Sequence, residues 1–191
     1  MNLFFSQGVI KAAGKGADDT SQVRGLAVER RDPWGMDKRK GGIEMDYKFW
    51  GWEQANVTAV TDQYKGIVTP RDLYDALSEI WCAYTCAPRM RQNWTPENKT
   101  LGQCSITAFL AQDIFGGVVY GILRPGGNYH CYNAVGDCRF DLTSEQFGDE
   151  ILIYEGNPEQ FREVHFAKEE KQMRYEYLKK ELKRFCDRRD L

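Results

Sequence analysis

Apolar residues recur at helical spacing through Ile106, Phe109, Leu110 and Ile114, and Gly116-Gly117 closes the run. The pattern predicts a helix over about residues 103–115, with Cys104 at or near its first turn. A second helical face follows from Leu73, Leu77, Ile80 and Trp81. Thr69 at the N-cap, Pro70 at the first helical position and Asp72 in the first turn mark its start. Its expected end is near Pro88. After Gly117 the chain turns β-like. Runs 118–123, 128–135 and 138–143 read as three strands joined by the turns Arg124-Pro125-Gly126-Gly127 and Gly136-Asp137, an antiparallel meander. Ser144 and Glu145 suggest a short helical turn. From Pro158 onward the chain is charged and helix-prone, with Met173, Tyr177, Leu178, Leu182 and Phe185 on one apolar stripe. The fold class expected is α+β.

Residues 1–66 carry no sustained period. Gly14-Lys15-Gly16, Arg30-Arg31-Asp32-Pro33 and Lys38-Arg39-Lys40 are charged and turn-like. The expected organisation is therefore an irregular or partly disordered N-terminal extension, 1–66, followed by an α+β domain, 67–191. Phe49-Trp50-Gly51-Trp52 is the one dense aromatic spot in the extension. It reads either as a patch that docks the extension or as a platform for a partner or ligand.

Composition narrows the function classes. A net charge of −2 argues against an electrostatic nucleic-acid binder. No apolar run approaches the length of a membrane span, and Met1–Gln7 lacks the basic and apolar regions of a secretory signal. A cytoplasmic protein is expected. Its six cysteines, Cys82, Cys86, Cys104, Cys131, Cys138 and Cys186, are then expected as free thiols rather than a disulfide scaffold.

The placement of Cys104 gives the sequence its chemistry. Unpaired N–H groups and the dipole at a helix N-terminus favour a thiolate, the reactive form of cysteine. His130 lies on the second predicted strand and Asp141 on the third. With the turn at Gly136-Asp137, the two fall nearly opposite each other and on one face. Nucleophile, base and orienting acid would follow in the order Cys104, His130, Asp141. Oxyanion or positioning donors are sought in Gln103, Gln92 and Asn133, beside the backbone N–H of Cys104. His165 receives no role. Arg174 has the reach for a carboxylate, although nothing local demands one.

Gly102-Gln103-Cys104, Thr107-Ala108, Gln112-Asp113, Phe115-Gly116-Gly117, His130-Cys131-Tyr132-Asn133 and Asp141–Phe147 resemble the YunG-like family of bacterial proteins, as does Arg174-Tyr175. The resemblance spans about residues 68–186 and implies a bacterial, cytosolic setting; it implies no particular reaction. The element order is also similar to papain-like and transglutaminase-like enzymes, by analogy of order alone. In papain-type peptidases the oxyanion glutamine lies several residues upstream of the nucleophile, whereas Gln103 adjoins it and Gln92 is the more distant candidate.

These readings converge on thiol-dependent hydrolysis or acyl transfer at an amide or peptide-type bond, in a papain-like α+β domain. The expected partner is a peptide or small amide substrate, with no nucleic acid, no membrane, and no metal or organic cofactor. Two alternatives stand beside it. One is a non-catalytic binding module whose polar trio is structural. The other is a zinc-stabilised protein using some of Cys82, Cys86, Cys131 and Cys138.

Overall fold

The computed structural model describes residues 47–189. Helix α1 (Pro70–Ile80) starts at Thr69, whose N–H and hydroxyl donate to the Asp72 carboxylate at 2.7 and 2.9 Å. This is a capping box in which an acid also meets the positive end of the helix dipole. α1 stops at Ile80, short of the end expected near Pro88. Thr85 supplies the reason. Its hydroxyl accepts from the Cys82 N–H at 3.0 Å and donates to the Cys82 carbonyl at 2.9 Å, a local turn that competes with helical bonding. Cys82 and Cys86 therefore lie in a turn and not on a helix.

Helix α2 (Cys104–Phe115) is the centre of the core. Ile106, Phe109, Leu110 and Ile114, the residues that set its period, are fully buried. Gly116-Gly117 ends it as the pattern predicts. A Cβ on Gly117, at φ +75, would come within 2.2 Å of the Ala134 carbonyl oxygen, so only glycine permits this return to the sheet.

The sheet is an antiparallel meander of β1 (Val118–Leu123), β2 (Tyr129–Val135) and β3 (Cys138–Phe140), in that order. Val119 faces Asn133 and Ile122 faces His130 across the first pair; Asn133 faces Phe140 and Val135 faces Cys138 across the second. Alternation along β2 divides its side chains between two faces. Asn133 turns toward α2, where its amide donates to the Ala108 carbonyl at 2.8 Å. His130 and Tyr132 share the other face, and there Ile122, Tyr132 and Tyr154 form a small apolar cluster of their own.

Helix α3 (Arg162–Phe166) and helix α4 (Glu169–Arg188) complete the fold, with α4 against α1 and α2. The buried stripe of α4 is Tyr175, Leu178, Leu182 and Phe185. Met173 and Tyr177, expected on that stripe, are exposed, because the stripe follows the seam between α1 and α2. Arg162 ties three helices together: it donates to Asp113 at 2.5 Å, to the Phe109 carbonyl at 3.1 Å and to the Tyr175 hydroxyl at 2.9 Å.

Residues 47–66 are irregular, with one 3-10 turn at Trp52–Gln54, yet Phe49, Ala55 and Tyr64 are buried in the same core as α1 and α2. Within the described residues, the composition change at Gly66 does not separate two cores. Phe49 docks the segment, and Trp50 pairs with Asp141 as an isolated bridge at the end of β3. Gly51, at φ +80, lies so close to Arg139 that a Cβ would meet its carbonyl oxygen at 2.3 Å. The reading of residues 1–46 as extension lies outside the described residues. Among the described residues, no helix is long and apolar enough to cross a membrane.

Candidate active site

Cys104 is the first residue of α2, half-buried at the floor of a cleft of about 590 Å³. Gln103, at the N-cap, gives α2 no side-chain cap. The N–H groups of the first turn therefore have no side-chain partner from the N-cap residue.

His130 also borders the cleft, and its Nε2 lies 2.5 Å from Asp141 Oδ2, with the two side chains 2% and 1% exposed. The register makes them diagonal neighbours. Residue 143 would stand opposite His130, and Asp141, two residues nearer the turn, keeps the same face. Asp141 is fully engaged. Oδ1 accepts from the Thr143 N–H and hydroxyl at 3.0 and 3.1 Å, and Oδ2 also accepts from the Tyr154 hydroxyl at 2.9 Å. Phe147 stands edge-on to the imidazole, with ring centroids 4.6 Å apart.

With Nε2 held by Asp141, Nδ1 is the nitrogen open to Cys104. It is buried and makes no hydrogen bond. Burial works to lower the His130 pKa, but the charge and hydrogen bond of Asp141, with the Cys104 thiol, raise it to about 10. Cys104 moves the opposite way. The neighbouring Cys131 thiol, then the nearby His130 imidazole and its charge, bring it well below the ordinary thiol range despite burial. Cys131 is pushed up in turn, because Cys104 holds its proton and burial disfavours its thiolate. The two shifts are opposed, Cys104 toward its thiolate and His130 toward its imidazolium.

The other candidates from the sequence lie elsewhere. The Gln103 amide is buried and donates to the Cys82 carbonyl at 3.2 Å, away from the cleft. The Asn133 amide is occupied by α2. Gln92 is exposed on a 3-10 turn, Pro88–Asn93, and does not line the cleft. Gln146 does line it. Its Oε1 accepts from the Gly102 N–H at 3.3 Å and its Nε2 donates to the Thr143 carbonyl at 2.7 Å, joining the Cys104 loop to the Asp141 loop.

Sequence reasoning missed Cys131, Thr143, Tyr154, Lys171 and His165. Thr143 had a signal, since an aspartate often accepts from the backbone two residues on. The rest had none that was local. His165 lines the cleft, accepts from the Lys171 ammonium at 3.0 Å and has Nε2 3.1 Å from Gln160 Oε1. Burial and the Lys171 charge lower its pKa to about 4. Arg174 binds Glu170 at 2.8 Å and the Thr85 carbonyl at 3.0 Å.

Among the described residues, no group of three or more His, Cys, Asp or Glu is placed to hold a metal ion. Cys131 lies beside Cys104, Cys138 donates to the Gln54 carbonyl, and Cys86 packs under Gly102. A larger hollow of about 690 Å³ runs past Trp50 and Tyr154, but none of Cys104, His130 and Asp141 lines it.

Comparison with known families matches residues 69–187 to the family described as YunG protein. The chain belongs to the YunG family. A YunG relative, "Uncharacterized protein YunG" of Bacillus subtilis (strain 168), is 35% identical over 108 residues, covering 56% of this chain and 86% of that protein. No solved structure matches. The YunG-matched span holds Cys104, Cys131, His130, Asp141 and Tyr154. Trp50, which reaches the same network from outside, precedes it.

Proposed function

We propose that the protein is a thiol-dependent hydrolase or acyltransferase acting on an amide or peptide-type bond, with a papain-like arrangement of nucleophile helix and antiparallel sheet. The observation that carries this reading is the constellation at the cleft, a thiol at the first residue of α2 and a buried imidazole whose Nε2 lies 2.5 Å from Asp141. In the mechanism, the Cys104 thiolate attacks the acyl carbon, and the carbonyl electron pair moves to oxygen. The resulting oxyanion accepts from the first-turn N–H groups of α2. This role falls to backbone, since the amides of Gln103 and Asn133 are held elsewhere. His130 gives its Nδ1 proton to the departing amine as the C–N bond breaks, leaving a thioester on Cys104. A water, or another acceptor, then loses a proton to His130, attacks the thioester and releases the thiolate. Asp141 fixes the ring and stabilises its charge throughout. The six free cysteines are in keeping with a reducing, cytoplasmic setting.

The test is iodoacetamide labelling of each cysteine against pH, followed by peptide mass spectrometry, in wild type and His130→Ala. Cys104 should label fastest, titrate below the ~8.5 of a free thiol and shift upward in the variant. An inert Cys104 in the folded protein would overturn the reading in favour of a non-catalytic binding module.

A further inference from the structure

The cleft over Cys104 reverses the charge of the chain that builds it. The protein carries a net −2, yet among the described residues Arg89, Arg124, Lys168, Lys171 and Arg174 line the cleft against one acid, Glu170. Two of these cations are neutralised in place. Arg174 holds Glu170 at 2.8 Å, and Arg124 holds Glu150 at 2.7 Å while stacking over Phe147. Arg89, Lys168 and Lys171 have no carboxylate partner among the described residues. Among the described residues, Lys171 hydrogen-bonds only to the imidazole of His165, which is neutral at pH 7. Inside the site, the Asp141 carboxylate offsets any charge on His130, so the excess belongs to the walls. Apolar neighbours, Met90, Pro125 and Phe147, lower the local dielectric and focus that field.

We propose that the cleft takes acyl substrates bearing a second, anionic group, a carboxylate or a phosphate, held by Arg89, Lys168 and Lys171 beside the bond that Cys104 attacks. This rests on the thiol reading of the site and adds the substrate class to it. Arginine offers a planar fork suited to either oxyanion, and the two lysines offer point charges. The same field would draw an anionic electrophile to Cys104 in preference to a neutral one of equal size.

The test compares iodoacetate with iodoacetamide on the full chain at pH 7, with each rate at Cys104 divided by the rate of the same reagent with glutathione. The iodoacetate ratio should exceed the iodoacetamide ratio by at least about tenfold, shrink at high salt, and fall in Arg89→Ala/Lys168→Ala, whose residues are both exposed. Equal ratios at a reactive Cys104 would overturn the anion subsite and leave the thiol chemistry standing. A Cys104 inert to both reagents would remove both. Glutarate and inorganic phosphate then separate the two chemistries. Protection of Cys104 by glutarate alone assigns a carboxylate, and protection by phosphate alone assigns a phosphate. Protection by neither overturns the subsite.

Discussion

Trp50 lies flat on Tyr154, with ring centroids 3.6 Å apart and planes 11° from parallel, and the Tyr154 hydroxyl donates to Asp141. A segment outside the family match thereby reaches the carboxylate that holds His130. Burial and the Asp141 charge keep the phenol protonated, so it remains a donor. Tyr154→Phe should lower stability by about 1.5–3 kcal/mol in urea unfolding at pH 7, the range for a hydrogen bond to a buried charge. A loss below about 0.5 kcal/mol would show that Asp141 does not depend on this hydroxyl.

Asp141→Asn removes the charge that raises His130. Folded His130 titrates near 10 and an unfolded histidine near 6.5, so its contribution to stability is complete below about 6.5 and lost as pH rises through about 10. The variant should lose this alkaline component. Its Cys104 should also need higher pH to label, at about tenfold in thiolate fraction per pKa unit. Unchanged labelling in a folded Asp141→Asn protein would separate Asp141 from the thiol.

Cys131 is the first of the groups that lower Cys104. Cys131→Ala should therefore move the onset of Cys104 labelling to higher pH while leaving His130 and its carboxylate in place. Cys131→Ser, which keeps a donor, should restore much of the shift. If alanine and serine behave alike, the thiol proton of Cys131 does not act on Cys104.

His165 gives the acid limb. It titrates near 4 when folded and near 6.5 when unfolded, so the unfolded chain binds more protons between those values and stability is lost as pH falls through that window. At pH 5 the loss from this group is on the order of 2 kcal/mol. His165→Gln should flatten unfolding free energy against pH over that window relative to wild type. Parallel profiles would mean that the neutral, Lys171-bonded imidazole is not part of the folded state.

The chain's own pattern determined α2, its glycine stop, the meander, and the shared face of His130 and Asp141. Each depends on a period of 3.6 or 2 and on turns set by one or two residues, and such signals survive in one dimension. α1 ends before the point its pattern predicts, because one threonine, Thr85, outcompetes helical bonding locally. Gln103 and Asn133 carried the right chemistry for oxyanion donors, but packing between α2, the Cys82 turn and β2 directed their amides elsewhere. Only the tertiary structure brought Cys131 to Cys104, Tyr154 and Trp50 to Asp141, and Arg89, Lys168 and Lys171 around one cleft. Those partners come from loops and helices far apart in the chain, and side-chain hydrogen bonding and charge act over a few ångströms whatever the sequence separation.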